Sequence, residues 1–337
     1  MKALRTLMVA GAAALALAGT AQAEDAPTVK LAIGGAGCLC YLPTVLAKQL
    51  GMYKKAGLNV DMVNFKGGSQ ALTAVIGGSA DVVSGYFDHT VELAAKHQKL
   101  KSFVVYDKFP GLVLVVSPKE TGKITSVKDL KGKNVGVSAP GSSTDFFLKY
   151  ELGKAGLKPD AAAVIGVGLG GTAIAAMEQG RIDAAVMLDP AVTILQDKYK
   201  DLKLLSDTRT EKDTVATFGG NYPGGAFYAR ANWIDGHQKE AQMMTNAMVA
   251  TLKWIHSHKP EEIMAKMPPE MVGKDKATYL AALKNTIPMY STDGMMDPKG
   301  AEAVLKVFSQ GDPEVAKANI DITDTYTNEF AKKATGM

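Results

Sequence analysis

Five short stretches hold the residues of this chain whose types could do chemistry, and that chemistry is hydrogen bonding to a small polar group. In Gly34-Gly35-Ala36-Gly37-Cys38-Leu39-Cys40-Tyr41, the glycines allow close backbone approach, and Tyr41, Cys38 and Cys40 are possible contacts. Gly67-Gly68-Ser69 follows a predicted strand. Ser69 either satisfies the next helix terminus or, with Gly68, offers hydroxyl and N–H donors to an oxyanion, and the two roles are compatible. Ser84-Gly85-Tyr86-Phe87-Asp88-His89 supplies Tyr86, which could stack on or bond a ligand, and Asp88, which could instead cap a helix. Ser138-Ala139-Pro140-Gly141-Ser142-Ser143-Thr144 sets four hydroxyls before a helix. Capping needs only one, so Ser138, Ser142, Ser143 and Thr144 read as an anion-binding group. In Met187-Leu188-Asp189-Pro190, Asp189 accepts from an ammonium or amide group, or caps the helix begun by Pro190. Asn221 and Tyr222 in the polar stretch after the second set of strands are further candidates.

Other chemistries lack their residues. There is no Gly-x-Ser-x-Gly elbow and no His-Glu-x-x-His motif. The Ser138–Thr144 loop lacks the glycine and Lys-Ser/Thr spacing of a P-loop. Cys38 and Cys40 offer two metal ligands, too few for a closed structural site unless His89 joins them. The other histidines fall mostly on predicted polar helix faces, and no catalytic residue, metal or cofactor is assigned. A bridge between Cys38 and Cys40 spans a single residue, which is expected to force a poor Cα separation. The pair therefore reads as two thiols or a labile bridge, not a structural staple.

The elements that must carry these loops alternate. Strands are predicted at Thr28–Ile33, Val60–Val63, Asp81–Ser84, Phe103–Tyr106, Leu112–Val116, Val135–Ser138, Ala162–Val167, Asp183–Met187 and Leu202–Leu205. Helical patterns lie between them, as where Leu42, Val45, Leu46, Leu50 and Tyr53 share one face. Such alternation implies parallel strands covered by helices, an α/β class. A unit also recurs. Lys55-Ala56-Gly57-Leu58 returns as Lys154-Ala155-Gly156-Leu157, Gly67-Gly68-Ser69 as Gly170-Gly171-Thr172, and Gly78–Val83 as Gly180–Ala185. The matches keep one order and nearly one offset, so two similar α/β lobes are expected, with all five loops at strand ends facing a crevice. From Asn232 onward long helical patterns dominate. Met243, Met244 and Met248 there read as core filling on a helix.

The first residues add a destination. Lys2 and Arg5, the apolar run Leu7–Leu17 and Ala21-Gln22-Ala23 have the parts of a secretory signal over residues 1–23, cleaved after Ala23. The apolar run is shorter than the roughly 20 residues a membrane span needs, so the mature chain is not expected to span a membrane. With 38 Lys+Arg against 34 Asp+Glu and no basic block, the charge does not point to nucleic acid.

The series Tyr41-Leu42-Pro43, Leu50-Gly51-Met52-Tyr53-Lys54-Lys55-Ala56-Gly57-Leu58-Asn59-Val60, Gly67-Gly68-Ser69 and Gly77–Ser84 with Asp81 resembles a family. It is that of substrate-binding proteins of ABC importers, in the nitrate/sulfonate/taurine and thiamine-pyrimidine-precursor group. The resemblance covers about residues 28–230. It implies a type II periplasmic binding protein fold: two α/β lobes joined by two crossovers, near Ser117 and Asp207–Thr214, closing like a hinge on a solute. Lobe one would comprise residues 28–116 and 215–337, lobe two 117–214, with the helical tail packed on lobe one. The ligand would lie among Cys38–Tyr41, Gly68–Ser69 and Tyr86–Asp88 on one side and Ser138–Thr144 and Asp189 on the other. The resemblance also implies a monomeric, non-enzymatic periplasmic component whose partners are an inner-membrane permease and its cytoplasmic ATPase. These loops hold no arginine, which favours a small organic acid, sulfonate-like, zwitterionic or heteroaromatic solute over a multiply charged anion. Two alternatives are an enzyme resembling thiamine-pyrimidine synthase, and a metal-binding or sensory module using the Cys-x-Cys loop.

Overall fold

The short β-branched runs pair into two five-stranded sheets in a computed structural model that describes residues 26–334. The secretory signal predicted over residues 1–23 lies outside the described residues. The first sheet contains β1 (Thr28–Ile33), β2 (Asn59–Asn64), β3 (Val82–Tyr86), β4 (Leu100–Val105) and β10 (Gly225–Arg230), in the order β2-β1-β3-β10-β4. The second contains β5 (Val113–Val116), β6 (Asn134–Val137), β7 (Ala163–Gly166), β8 (Ala184–Met187) and β9 (Leu204–Asp207), in the order β7-β6-β8-β5-β9.

The repeat seen in the sequence is a repeat of structure. In lobe one it comprises β1, α1 (Leu42–Gln49), α2 (Met52–Lys55), β2, α3 (Gly68–Ile76) and β3. In lobe two it comprises β6, α5 (Ser143–Lys154), β7, α6 (Gly171–Gln179) and β8; α4 (Asp88–Ala95) follows β3. The shared residues do the same work twice. Gly57 and Gly156 adopt φ of 83° and 80°, a left-handed turn that favours glycine. The amides of Leu58 and Leu157 then bond back to Tyr53 and Leu152. The carboxylates of Asp81 and Asp183 each accept a strand amide, from Lys30 and Asn134, at 2.8 Å.

Two expectations change. The sheets are mixed, not all parallel: β10 runs antiparallel to β3 and β4, and β5 antiparallel to β8 and β9. Each lobe receives one strand from chain that has just left the other lobe, and that strand enters from the opposite end. Because β5 belongs to the second sheet, the first crossover falls between Val105 and Val113, ahead of Ser117, so Leu112–Val116 does not belong with lobe one. The return falls between Asp207 and Gly225 and carries α7's successor α8 (Glu211–Phe218), where α7 is Ala191–Lys198.

The tail helices are α9 (Ala231–Gly236), α10 (Gln238–Ser257), α11 (Pro260–Lys266), α12 (Pro269–Val272), α13 (Lys276–Thr286), α14 (Pro298–Gly311), α15 (Pro313–Lys317) and α16 (Glu329–Lys332). They pack on lobe one as expected, with α10 against α1 and α2 and with Met244 and Met248 fully buried. They also reach lobe two: α13 lies on α7, with Thr278 donating to Asp197, and α14 lies on both α4 and α5. The tail therefore bridges the lobes. Among the described residues no helix is long and apolar enough to cross a membrane.

Candidate functional site

Helix N-termini from both lobes converge where the lobes meet. The α3 terminus brings Gly68 and Ser69 against the α5 terminus. The Ser69 amide donates to Ser142 Oγ at 3.0 Å, and the two hydroxyls are 3.1 Å apart. Beside them Ser143 Oγ donates to Asp88 Oδ1 at 2.7 Å, and the Leu39 amide donates to the Asp189 carbonyl at 2.9 Å. Gly68 is required here by space. A Cβ would come within 2.7 Å of His89 Cε1, and one on Gly34 would come within 2.8 Å of the Gly68 Cα.

These contacts enclose a cavity of about 20 Å³. Lobe one lines it with Gly34, Cys40, Tyr41, Gly68 and Tyr86. Lobe two adds Ser138, Ser142, Ser143 and Thr144, and Leu112, Leu169 and Leu188 close it with apolar surface. That volume holds about one water molecule, and the Ser69–Ser142, Asp88–Ser143 and Leu39–Asp189 contacts join the two sides around it.

Each predicted residue has a definite place. The Tyr41 and Tyr86 rings meet edge to face at 6.2 Å, and burial pushes both phenols well above the ordinary range. The Tyr86 hydroxyl is already engaged, donating to Pro110 O at 2.6 Å. Ser138 and Thr144 bond each other at 2.9 Å. Asp88 is buried just behind the cavity, and burial raises its pKa against the lowering effects of His89 and the Ser143 hydrogen bond.

Asp189 does not line this cavity. Its Oδ1 caps α7 through the Thr193 amide and hydroxyl at 2.9 and 2.7 Å, and its Oδ2 pairs with Arg209 at 3.4 Å. The capping role foreseen for it is the one the structure displays.

Of the two readings of the cysteines the bridge is the one present: Cys38 and Cys40 are joined as a disulfide. The expected poor Cα separation is corrected, since the distance is 5.2 Å, inside the ordinary 4.4–6.8 Å span. Cys38 is extended and Leu39 begins a short 3₁₀ turn, which brings positions two apart to one side. His89, the histidine that would have had to join the cysteines at a metal, is fully buried. Its Nδ1 lies 3.0 Å from the Tyr228 hydroxyl and its ring packs edge to face on Phe146.

Sequence reasoning missed Asp107. It lies two residues past the end of β4, fully buried, with Oδ2 accepting the Gly225 amide at 3.1 Å and Oδ1 unpartnered. Burial raises its pKa well above the ordinary 3.8. The neutral acid is thus the form the fold favours. Its contribution to stability is complete below the unfolded pKa and is lost as pH rises from there through the raised folded value. Asp107→Asn removes the ionisation. In urea unfolding the variant is expected to lose less stability than the parent between pH 4 and pH 8; equal slopes would contradict this assignment.

Residues 41–263 match the family model described as NMT1/THI5 like. A solved protein from Bordetella bronchiseptica RB50 is 39% identical, covers 91% of this chain and 96% of its own, and superposes with a TM-score of 0.87. A protein of Brucella abortus (strain 2308), provisionally named as a binding protein, is 29% identical over 72% of this chain and 71% of its own. The alkanesulfonate-binding protein SsuA from Xanthomonas axonopodis pv. citri, solved bound to MOPS, shares the fold. It is 17% identical, with a TM-score of 0.69 over 89% of this chain and 98% of its own.

Proposed function

The chain belongs to the NMT1/THI5-like family, and from that premise we propose that it is the exported capture component of an ABC importer, taking a small organic acid, sulfonate or zwitterion between its lobes. The fold is that of type II periplasmic binding proteins. One observation carries the ligand class: the free Ser69 amide at the N-terminus of the nine-residue helix α3 is occupied by the Ser142 oxygen of the opposite lobe. On opening, that amide and its neighbouring hydroxyls become available to a ligand oxygen, as helix N-termini favour anions. The surrounding donors are uncharged, which suits a single negative charge or a zwitterion better than a multiply charged anion. A sulfonate bound by SsuA is in keeping with this reading. Opening and reclosing about the two crossovers accounts for capture without turnover.

The test is mass spectrometry of small molecules released when the purified protein is denatured, followed by thermal shift against sulfonates, carboxylates and zwitterions. A bound ligand at 100-fold over Kd adds about 2.7 kcal/mol, so one class should raise Tm clearly. No released molecule and no response to any class would overturn the reading. Export is checked by the mature N-terminus, expected at Glu24.

Gly68→Ala probes the same contact. His89 is held by Tyr228 and Phe146, so the methyl is expected to shift the α3 terminus that carries the Ser69–Ser142 contact. A strain of about 1.4 kcal/mol, within the usual cost of overpacking, corresponds to tenfold. At least tenfold weaker binding of the identified solute is expected by calorimetry, with the far-ultraviolet dichroism of the parent.

A further inference from the structure

A second, larger cavity adjoins the first. It measures about 100 Å³ and lies between α5, α8 and α14, so lobe two, the crossovers and the tail build it. Its walls are mostly aromatic, with Phe146, Phe147 and Tyr150 from α5, Phe218 and Tyr222 from the return crossover and Phe308 from α14, and Lys149 and Asp312 add two charged groups to the lining. Phe146 and Phe308 meet edge to face at 4.9 Å, and Phe218 stacks on Tyr222 at 4.3 Å. An apolar protein cavity of about 150 Å³ takes a benzene ring; this one, at about 100 Å³, takes a branched aliphatic group as it stands and a single ring once the parting lobes widen it.

Three features make it continuous with the capture cleft. Leu112 lines both cavities. The first turn of α5 presents hydroxyls to the cleft, and its next residues, Phe146 and Phe147, present rings to the second cavity. The partition is a row of hydrogen bonds: Ser143 donates to Asp88 Oδ1 at 2.7 Å, and Tyr222 donates to Asp88 Oδ2 at 3.4 Å. The first of these joins the two lobes and breaks when they part. Opening the lobes for a solute therefore also opens the way between the two cavities.

We propose that the captured solute is amphipathic, with its anionic or zwitterionic head at the α3 and α5 termini and a ring-sized apolar end in the cavity between α5, α8 and α14. The tail helix α14 then sets specificity, which explains in physical terms why it spans both lobes instead of resting on one. The inference depends on the anionic head of the preceding section and adds the apolar end.

Calorimetry on the full mature chain with methanesulfonate and with 3-phenylpropane-1-sulfonate separates the two. Both should bind, the phenyl probe at least tenfold more tightly. Val307→Trp, which fills the cavity from α14, should abolish that gain while leaving the methanesulfonate Kd within about twofold. Phe308→Ala, which removes a wall, should reduce the gain severalfold, and methanesulfonate binding reports that each variant is folded. Equal affinity for the two probes, or a gain untouched by Val307→Trp, overturns this inference and leaves the anionic head standing. Failure of both probes to bind the parent chain overturns the head assignment and this inference with it.

Discussion

Arg209→Met is expected to destabilise the protein by about 3 kcal/mol, the low end of the range for breaking a buried ion pair from one side. The guanidinium lies in the return crossover, 16% exposed, and holds carboxylates from two elements: Asp207 Oδ2 at 2.6 Å and Asp189 Oδ2 at 3.4 Å, with Gln196 Oε1 at 3.2 Å. Asp189 is 4% exposed. Methionine keeps much of the side-chain volume and removes the charge, leaving Asp189 with only its Thr193 bonds. Urea unfolding measures the loss. Asp189→Asn in the same chain should recover at least about 1 kcal/mol, because the uncompensated charge is then gone. Equal stability of the single and double variants would show that Arg209 acts through packing alone.

Gly225→Ala is expected to cost about 3 kcal/mol or more. Gly225 opens β10 opposite Tyr86, and a methyl group there would overlap the Tyr106 ring and Asp107 Oδ2. Both residues are fully buried and cannot retreat into solvent. Overpacking of this kind costs about 1–3 kcal/mol. Displacing the Asp107 carboxyl from the Gly225 amide adds roughly another 1–3 kcal/mol, because the group already has one oxygen unpartnered. The strain passes to Tyr86, so solute affinity should fall together with stability. A variant with parental urea midpoint would refute the packing argument.

The substitutions differ in how visible their sites were beforehand. Asp81 and Asp183 were legible because each recurs at the same place in a repeated unit, where its carboxylate accepts an amide of the neighbouring strand, β1 or β6. The same holds for Gly57 and Gly156, whose turn follows from a helix ending beside its own strand. The cavity-lining hydroxyls of Ser138–Thr144 were legible as a surplus over what capping needs. β10 was not, because Gly225-Ala226-Phe227-Tyr228 is short, follows a polar stretch, and is a strand only through its ladder with β3 and β4. Asp189 looked free for a ligand because Arg209, its partner, is twenty residues away on another element.

By itself, the sequence determined the twofold α/β plan, the strand ends that carry the loops, and the uncharged donors that line the cavity between the lobes. All of these rest on contacts within a few turns or one repeated unit, where periodicity and glycine placement act directly on the backbone. Only the tertiary structure decided which lobe owns β5, that Cys38 and Cys40 are joined, and that Asp189 is neutralised while Asp107 is buried. It alone placed Phe146 of one lobe against Phe308 of the tail. The physical reason is chain distance. Burial and pairing of these groups are set by residues remote in sequence, and a side chain's type says what it can bond but not which partner the folded chain brings to it.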